Sequence, residues 1–398
     1  MGRARERTES VAPEPTPSSL PVVGMIDLKA QYEPLRPEID AAVKGVFDTG
    51  RFILGPEVEA FEKEIAALHA VPFGIGVASG TDALILVWRA LDLTALDEVI
   101  VPSMTFLASG SSVRLAGARP VFVDVEPDTL NIDPEAVRAA ITPRTKAILA
   151  VHLYGQCANV TGLKKVADEA GLPLIEDCAQ SIGATWEGTP CGSVGLAGTT
   201  SFYPSKNLGA PGEGGMIWTK DEALAAKLRR LRNHGERVRY EHVELGLNSR
   251  LSALNAAVLR IKLRALPRWT ELRRENACFY DGAFADLGPA IRLMRVDDRA
   301  KHVYHQYSFF ASDRGRLREH LTAHGIENIV YYPIPLHRQP CFADLFIAGR
   351  SFPNTDMACR EVLSIPVHAE LSTAQRRRVA DAVIEFARSG ATTTRGGL

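Results

Sequence analysis

The sequence predicts an α/β fold: a large domain with a seven-stranded, mainly parallel sheet between helices, and a smaller α+β C-terminal domain. Short apolar runs alternate with segments of helical periodicity between residues 74 and 219, which is typical of parallel strands connected by helices. This alternation stops after about residue 262. The chain has 398 residues, of which 46% are hydrophobic, and this is enough for two cores.

The predicted boundaries divide the chain into residues 1–24, 25–262 and 263–398. The first segment is rich in proline, glutamate, arginine and serine, and it lacks the apolar core of a signal peptide. We therefore predict a disordered N-terminal tail, followed by the large domain and then the small domain.

Two helices are predicted before the sheet. Ile39, Val43 and Val46 have the spacing of one helical face. Pro56 suits the first turn of the second helix, because the N–H group that proline lacks would be unpaired at that position anyway.

Seven apolar runs have the length and composition of buried strands. They cover residues 74–79, 98–102, 120–125, 146–152, 172–177, 199–203 and 215–219. Segments of helical periodicity lie between them, at residues 80–91, 133–141 and 163–170. This pattern predicts helices on both faces of the sheet.

The small domain is predicted to contain two strands and two helices. The strands are expected at residues 303–310 and 326–331, and a helix at 314–323 ends at Gly325. A last helix is expected to start near Ser372.

Charge and cysteine content exclude several classes of protein. A net charge of -1 argues against a nucleic-acid partner, and no apolar run approaches the length of a membrane span. The six cysteines include no CxxC pair. We therefore predict reduced thiols in a cytoplasmic protein, with no metal site.

The candidate chemistry starts from Lys206 and Asp177. Lys206 lies on a turn just after a predicted strand, and Asp177 ends an earlier strand. Pyridoxal phosphate (PLP) chemistry needs a lysine amine that forms a Schiff base with the cofactor aldehyde. It also needs a carboxylate that holds a proton on the pyridine nitrogen, so that the ring can accept electrons. The pair fits a PLP enzyme, but most lysines near turns are solvated and most aspartates at strand ends form caps, so the surrounding motifs decide.

Several other motifs stand in a characteristic order around this pair. They are Ala78-Ser79-Gly80-Thr81-Asp82, Val151-His152-Leu153-Tyr154-Gly155, Gly246-Leu247-Asn248-Ser249-Arg250 and Tyr332-Pro333-Ile334-Pro335-Leu336-His337. With the lysine and aspartate segments, they closely resemble the DegT/DnrJ/EryC1/StrS family of PLP-dependent nucleotide-sugar aminotransferases. The resemblance runs from about residue 26 to about residue 366, and it implies the fold type I aminotransferase architecture.

A phosphate site is expected where Gly80 and Thr81 open a helix directly after a strand. Free N–H groups and the helix dipole favour an anion there, although a serine or threonine at such a position often serves only as an N-cap. The resemblance adds Ser201 to the same phosphate. It also implies that Asn248 reaches the phosphate from the partner subunit, so that two chains of a homodimer share each active site.

The cofactor ring is expected to contact three side chains. Asp177 should pair with the pyridine N–H as a charge-assisted hydrogen bond. The resemblance places Gln180 at the ring oxygen and Phe106 on the ring face, and for Phe106 a place in the core is an equally good interpretation. Lys206 is expected to carry the proton during amino transfer, with glutamate as the expected amino donor.

The resemblance places Arg250, Tyr332 and His337 near the sugar nucleotide. The planar donor fork of Arg250 suits a diphosphate, although the residue could only anchor a helix start. His337 could equally be a packed loop residue. The roles of His152 and Tyr154, at a strand end facing the site, stay open.

These observations predict an aminotransferase that converts a dTDP- or UDP-linked 3- or 4-keto-(6-deoxy)sugar to the aminosugar, for aminodeoxysugar biosynthesis such as that of antibiotics. One alternative is a PLP-dependent sugar dehydratase, which Lys206 disfavours because the similar dehydratases have histidine there. Another is a PLP-binding regulator without catalysis. A nicotinamide enzyme is not favoured, because no GxGxxG follows the first strand.

Overall fold

The structure is a computed structural model that describes residues 21–345 and 350–393, without the side chains of the last four. Most of the predicted tail lies outside the described residues. Val23, within the predicted tail, is buried and forms a parallel bridge with Ile326. Ordered chain therefore begins before residue 25.

Helices account for much of the described chain, and short 3₁₀ turns occur between them. The α-helices are Leu28–Tyr32, Arg36–Thr49, Pro56–Leu68, Gly80–Ala90, Leu107–Leu115, Pro134–Ala140, Val160–Ala170, Glu222–Leu231, Ala253–Phe284, Arg314–Ala323, Pro353–Glu361 and Thr373–Thr393. The 3₁₀ turns are Glu33–Leu35, Leu153–Gly155, Leu336–Arg338 and Pro340–Phe342. None of the helices in the described ranges is long and apolar enough to cross a membrane.

A seven-stranded sheet forms the centre of the large domain, as predicted. Its spatial order is Phe73–Val77, Gly215–Thr219, Ala197–Ser201, Leu174–Asp177, Thr145–Val151, Glu98–Pro102 and Arg119–Val123. Gly215–Thr219 runs antiparallel to both of its neighbours, and the other pairings are parallel. The carboxyl ends of the parallel strands therefore meet at one edge, where ligands bind in open α/β sheets.

Hydrophobic cores lie on both faces of this sheet. Ile217 packs with Trp88 on one face, while its neighbours Met216 and Trp218 pack with Phe61 on the other. This alternation follows from the two-residue period of a strand. It explains why the strand sequences are almost continuously apolar.

The small domain has its own sheet and core. The antiparallel strands Ile291–Leu293, Tyr307–Ala311 and Val362–Ile365 form the sheet in that order. The helices Arg314–Ala323 and Thr373–Thr393 contribute to a core with this sheet. Other short strands are Thr185–Trp186, Thr189–Pro190, Glu236–Val238, Glu241–His242 and Ala300–Lys301.

The predicted strand at residues 326–331 is wrong. Ile326 and Ile329 form only isolated bridges, and Val362–Ile365 occupies the sheet position beside Tyr307–Ala311. The two short apolar runs have similar local propensity, so tertiary pairing decides which of them joins the ladder.

The helix Ala253–Phe284 continues through residue 262, where we predict the domain boundary. Its first half packs into the large core through residues such as Leu259, and its end packs into the small core through Tyr280 and Phe284. One continuous helix thus connects the two cores, and the boundary at residue 262 stays a prediction.

The structure brings two of the six cysteines, which we predict to be reduced, into direct contact. The sulfur atoms of Cys157 and Cys191 meet, and their Cα atoms are 6.0 Å apart, a separation that a disulfide can span. The fold brings together the segments that follow Leu153–Gly155 and Thr189–Pro190, 34 residues apart in sequence. Spacing alone could not reveal this contact. Cys178 and Cys359 are free and buried, and Cys278 and Cys341 are free and exposed.

Candidate active site

Lys206 lies on a tight turn beyond the carboxyl end of Ala197–Ser201. Its N–H donates to the Tyr203 carbonyl at 2.9 Å, which closes the turn. Burial lowers the pKa of the Lys206 amine from 10.5 to about 8, against the opposing effect of the Asp177 carboxylate. The amine is therefore partly neutral near physiological pH, as a nucleophile and proton carrier requires.

Two features hold this turn in place. A Cβ atom on Gly209 would lie 2.3 Å from the Pro204 carbonyl oxygen, so only glycine fits where the turn closes on itself. The Gly209 carbonyl in turn accepts a hydrogen bond from the buried Lys262 side chain of the helix Ala253–Phe284. The turn is thereby anchored to the longest helix in the described chain.

Asp177 ends the strand Leu174–Asp177, which pairs in parallel with Ala197–Ser201. Its side chain accepts hydrogen bonds from the Ala179 N–H at 3.0 Å and from the Ser109 hydroxyl at 3.5 Å. Burial raises the pKa of this carboxyl, against the effects of the Ala179 N–H and Lys206. A cation bound beside Asp177 would favour its ionised form.

Glu176, the preceding residue, points to the other face of the sheet. Its carboxylate accepts hydrogen bonds from the His152 ring and from the N–H groups of Gly192, Val194 and Gly195, at 2.7–2.9 Å. Burial acts to raise the pKa of Glu176, but these bonds outweigh it and the net pKa is lowered. The residue thus fixes loops behind the site.

The helix Gly80–Ala90 begins beside Ser201. A Cβ atom on Gly80 would lie 2.6 Å from the Ser201 Cβ, so the absence of a side chain permits this close approach. Ser79 caps the helix by accepting a hydrogen bond from the Asp82 N–H at 3.1 Å. In the described chain, the N–H groups of Gly80 and Thr81 have no acceptor, and they are available to an anion.

Gln180 connects two elements near the strand ends. Its side-chain oxygen accepts a hydrogen bond from the Tyr154 N–H at 2.6 Å, and its amide nitrogen donates to the Tyr332 hydroxyl at 3.1 Å. The Tyr332 ring lies 6.0 Å from the ring of Phe106, centroid to centroid. The structure therefore brings Gln180, Tyr332 and Phe106 together. Phe106 is 57% exposed, so it is not a core residue in the single chain.

Asn248 and Arg250 lie together at the surface. The Asn248 side-chain oxygen accepts a hydrogen bond from Arg250 at 2.6 Å, and Arg250 also donates to Asn233 at 3.0 Å. Among the described residues, the Arg250 Nε atom is buried and has no partner. Asn248 is exposed, and such a position is accessible to a second subunit.

His337 is held by its own chain. Its Nδ1 lies 2.6 Å from the Ser103 hydroxyl, its Nε2 lies 3.7 Å from Asp356, and its ring stacks on Phe352 at 4.0 Å. These contacts favour the interpretation of His337 as a packed loop residue. Its substrate role stays a prediction.

The sequence analysis missed His305, which the structure places beside the lysine turn. Its ring nitrogen Nδ1 lies 3.1 Å from the side-chain oxygen of Asn207, the residue after Lys206. Burial, followed by the positive charge of Lys206, lowers the pKa of His305 well below 6.5. No sequence signal marked it, because His305 lies in a run that reads as an ordinary strand.

Comparison with known proteins identifies the arrangement. The sequence profile of the DegT/DnrJ/EryC1/StrS aminotransferase family matches residues 34–384. The chain belongs to this family. It is 44% identical to a protein of Geobacillus stearothermophilus named pleiotropic regulatory protein, over 92% of this chain and 99% of the relative. It is also 44% identical to dTDP-3-amino-3,4,6-trideoxy-alpha-D-glucose transaminase of Streptomyces venezuelae, over 92% and 97%.

A solved structure confirms the architecture expected for the family. The crystal structure of S. venezuelae DesV in complex with a ketimine intermediate matches with a TM-score of 0.90 and 44% identity, covering 92% of this chain and 99% of that chain. The predicted fold type I architecture is therefore confirmed, and the chain is an aminotransferase.

Proposed function

We propose that this protein transfers an amino group from glutamate to the keto carbon of a nucleotide-linked 6-deoxysugar, with pyridoxal 5'-phosphate as cofactor. The observation that carries the proposal is the pairing of Lys206 and Asp177 at adjacent strand ends, where burial lowers the pKa of the lysine to about 8. Membership of the aminotransferase family and the similarity to a dTDP-aminosugar transaminase support the sugar substrate.

The residues of the site fit this cofactor. The close approach of Gly80 to Ser201, with the free N–H groups of Gly80 and Thr81, forms a cradle for its phosphate. Asp177 would face the ring nitrogen, while Gln180 and Phe106 would contact the ring oxygen and face. When bound, the cofactor supplies an aldehyde that reacts with amines and a ring that accepts electrons.

The protein's own contribution is to move a proton and to hold charge. Neutral Lys206 can take a proton from the reacting carbon of the amino donor and return it when the sugar is aminated, because its pKa lies close to the working pH. Ionised Asp177 would stabilise a proton on the ring nitrogen, and burial strengthens this interaction by excluding water.

We expect the substrate to be a 3-keto sugar in preference to a 4-keto sugar. We expect its nucleotide to be dTDP in preference to UDP. The 3-amino product in the name of the S. venezuelae relative supports the first preference, and its dTDP group supports the second. Tyr332 and Arg250 are the proposed substrate contacts. The cytoplasmic location stays a prediction.

A direct assay tests this function. The purified protein is incubated with glutamate and a panel of dTDP- and UDP-linked 3-keto and 4-keto sugars, and NMR locates any new amine. We expect an amine at C3 of a dTDP-sugar, and no product with the Lys206→Ala variant. A product that has lost a hydroxyl group without gaining nitrogen would instead establish the dehydratase alternative.

The same assay separates an enzyme from a regulator, which the name of the G. stearothermophilus relative makes necessary. A regulator without catalytic activity would bind PLP. It would not form 2-oxoglutarate from glutamate with any of the keto-sugars in the panel. Formation of 2-oxoglutarate that depends on both a keto-sugar and Lys206 would exclude the regulator as the complete function.

We also propose that two chains share each active site. The hairpin Glu236–Val238 and Glu241–His242 and the segment after it expose apolar side chains, with Tyr240 80% and Leu245 91% exposed in the single chain. Such a row of exposed apolar residues is typical of a surface that a partner covers. The segment leads directly to Asn248, which supports its placement in the partner's site.

Mixing two inactive variants tests this sharing. In a mixed dimer of Lys206→Ala and Asn248→Asp chains, a shared arrangement gives one site with both residues intact and one with both altered. We expect activity to return in part after subunit exchange, because the new carboxylate of Asn248→Asp repels the cofactor phosphate. No recovery, with mixed dimers proven by mass spectrometry, would place Asn248 in its own subunit's site.

A further inference from the structure

Two histidines and a glutamate converge on the small domain, away from the residues assigned to the active site. His320 and His324 lie at the end of the helix Arg314–Ala323, and Glu385 lies on the helix Thr373–Thr393. One ligand atom from each residue lies within 4.8 Å of the other two. The His324 Nε2 atom is 3.6 Å from a Glu385 carboxylate oxygen.

The spacing of the two histidines suits joint coordination. Residues four apart on a helix lie on the same face, one turn above the other. The ring centroids of His320 and His324 are 4.2 Å apart. This i, i+4 pair of histidines is the same local arrangement that zinc-binding helices use.

The ring nitrogens of both histidines leave a position open to a metal. The His324 Nδ1 atom lies 2.8 Å from the His320 carbonyl oxygen, so this nitrogen carries the proton and donates it. The Nε2 atom of His324 then keeps its lone pair, and Glu385 lies beside it. Within the described residues, the Nε2 atom of His320 is buried without a hydrogen-bond partner.

The bond from His324 is of the kind found around metal-ligating histidines. Such residues almost always donate their second ring N–H to a carbonyl or carboxylate, which fixes the tautomer and orients the ring. A neutral imidazole is the form that binds a metal.

We propose that His320, His324 and Glu385 bind a divalent first-row transition metal, with Zn²⁺ as the best fit. Two imidazole nitrogens and one carboxylate suit Zn²⁺, and water would complete a tetrahedral site. Zinc–ligand bonds of about 2.0–2.2 Å require the three atoms to approach each other by roughly 1 Å. Glu385 has a side chain that is 64% exposed, and it is free to make this movement.

A metal at this position would link two helices of the small domain. The helices Arg314–Ala323 and Thr373–Thr393 would then be held together by coordination bonds in addition to their apolar contacts. Because the metal binds only the folded arrangement, it should raise the temperature of unfolding. In the metal-free protein, the His324 Nε2 atom and the Glu385 carboxylate only lie near each other, 3.6 Å apart.

Zinc titration of the tag-free, cofactor-loaded protein tests this site. A chromophoric zinc indicator competes for the metal, and calorimetry follows unfolding with and without Zn²⁺. We expect one zinc ion per chain that is lost, with at least a tenfold fall in affinity, in His320→Ala, His324→Ala and Glu385→Gln. The rise in unfolding temperature should disappear in the same variants.

Glu319→Gln is the matched control, since Glu319 is an exposed carboxylate on the same helix as His320. It should bind zinc like the unaltered protein. Glu385→Gln keeps the size of the side chain and decides the question if a histidine variant fails to fold. Equal zinc affinity in Glu385→Gln, His324→Ala and the unaltered protein would overturn the proposal and place any bound zinc elsewhere.

Discussion

Replacing Asp177 by asparagine isolates the charge that we assign to the cofactor ring. The asparagine oxygen can still accept the Ala179 N–H, which lies 3.0 Å from the Asp177 carboxylate, and its amide can still contact Ser109. The fold should therefore persist. What is lost is the negative charge, in a position only 7% exposed.

The expected cost follows from this burial. Charge-assisted hydrogen bonds are roughly twice as strong as neutral ones, and water cannot replace the missing charge in a buried site. We expect a loss of about 2–4 kcal/mol of transition-state stabilisation, which corresponds to about 1.5 to 3 orders of magnitude in rate. Single-turnover absorbance changes with glutamate measure this rate directly. Near-normal turnover in Asp177→Asn would show that Asp177 does not face the ring.

Glu176→Gln provides the matched comparison, one residue away on the opposite face of the strand. Four N–H donors, from His152 and the segment 192–195, converge on the Glu176 carboxylate. A glutamine would direct its own N–H₂ group at some of them. We expect a loss of about 3 kcal/mol or more in unfolding free energy, since each bond to a charged group contributes about 1.5–3 kcal/mol. Rate loss without loss of stability in this variant would contradict the structural role.

The remaining predictions concern the lysine, the phosphate cradle and the response to acid. Lys206→Ala should abolish turnover while the unfolding temperature stays close to normal. In the unaltered protein, borohydride should fix the cofactor to Lys206, and a reduced adduct mapped to another lysine would refute the assignment. In cofactor-free protein, acylation of Lys206 followed by peptide mapping should reach half its maximal rate near pH 8, and a midpoint near 10.5 would show that burial does not act on the amine. Gly80→Ala places a Cβ atom 2.6 Å from the Ser201 Cβ, so the affinity for the cofactor should fall at least tenfold in equilibrium dialysis. Unchanged affinity would show that Gly80 does not line the phosphate site. Burial lowers the pKa of His69 from 6.5 to about 4, so the unfolded state binds the proton first and stability should fall as the pH drops from 6.5 towards 4. In urea titrations, His69→Phe should lose less unfolding free energy over that pH range than the unaltered protein. An equal loss in both proteins would show that His69 does not cause the loss of stability in acid.

The sequence by itself determined the sheet of the large domain and pointed to a candidate centre for its chemistry. Strands of a sheet that is covered on both faces must be apolar on both faces, so runs such as Glu98–Pro102 and Gly215–Thr219 have the bounds that we predicted. Lys206 and Asp177 became the candidate residues because PLP chemistry requires a lysine amine and a carboxylate, and the sequence places one on a turn after a strand and the other at the end of an earlier strand. Local signals of this kind survive folding because they depend on the strand period and on turn chemistry.

The tertiary structure alone decided the features that depend on distant parts of the chain. Val362–Ile365 and not residues 326–331 joined the small sheet, because a ladder position is assigned by pairing with Tyr307–Ala311. The contact of Cys157 with Cys191 arises between loops 34 residues apart. His337 is enclosed by contacts from its own chain, and His305 is brought to the lysine turn. Each of these outcomes is set by long-range packing, which no local pattern of residues records.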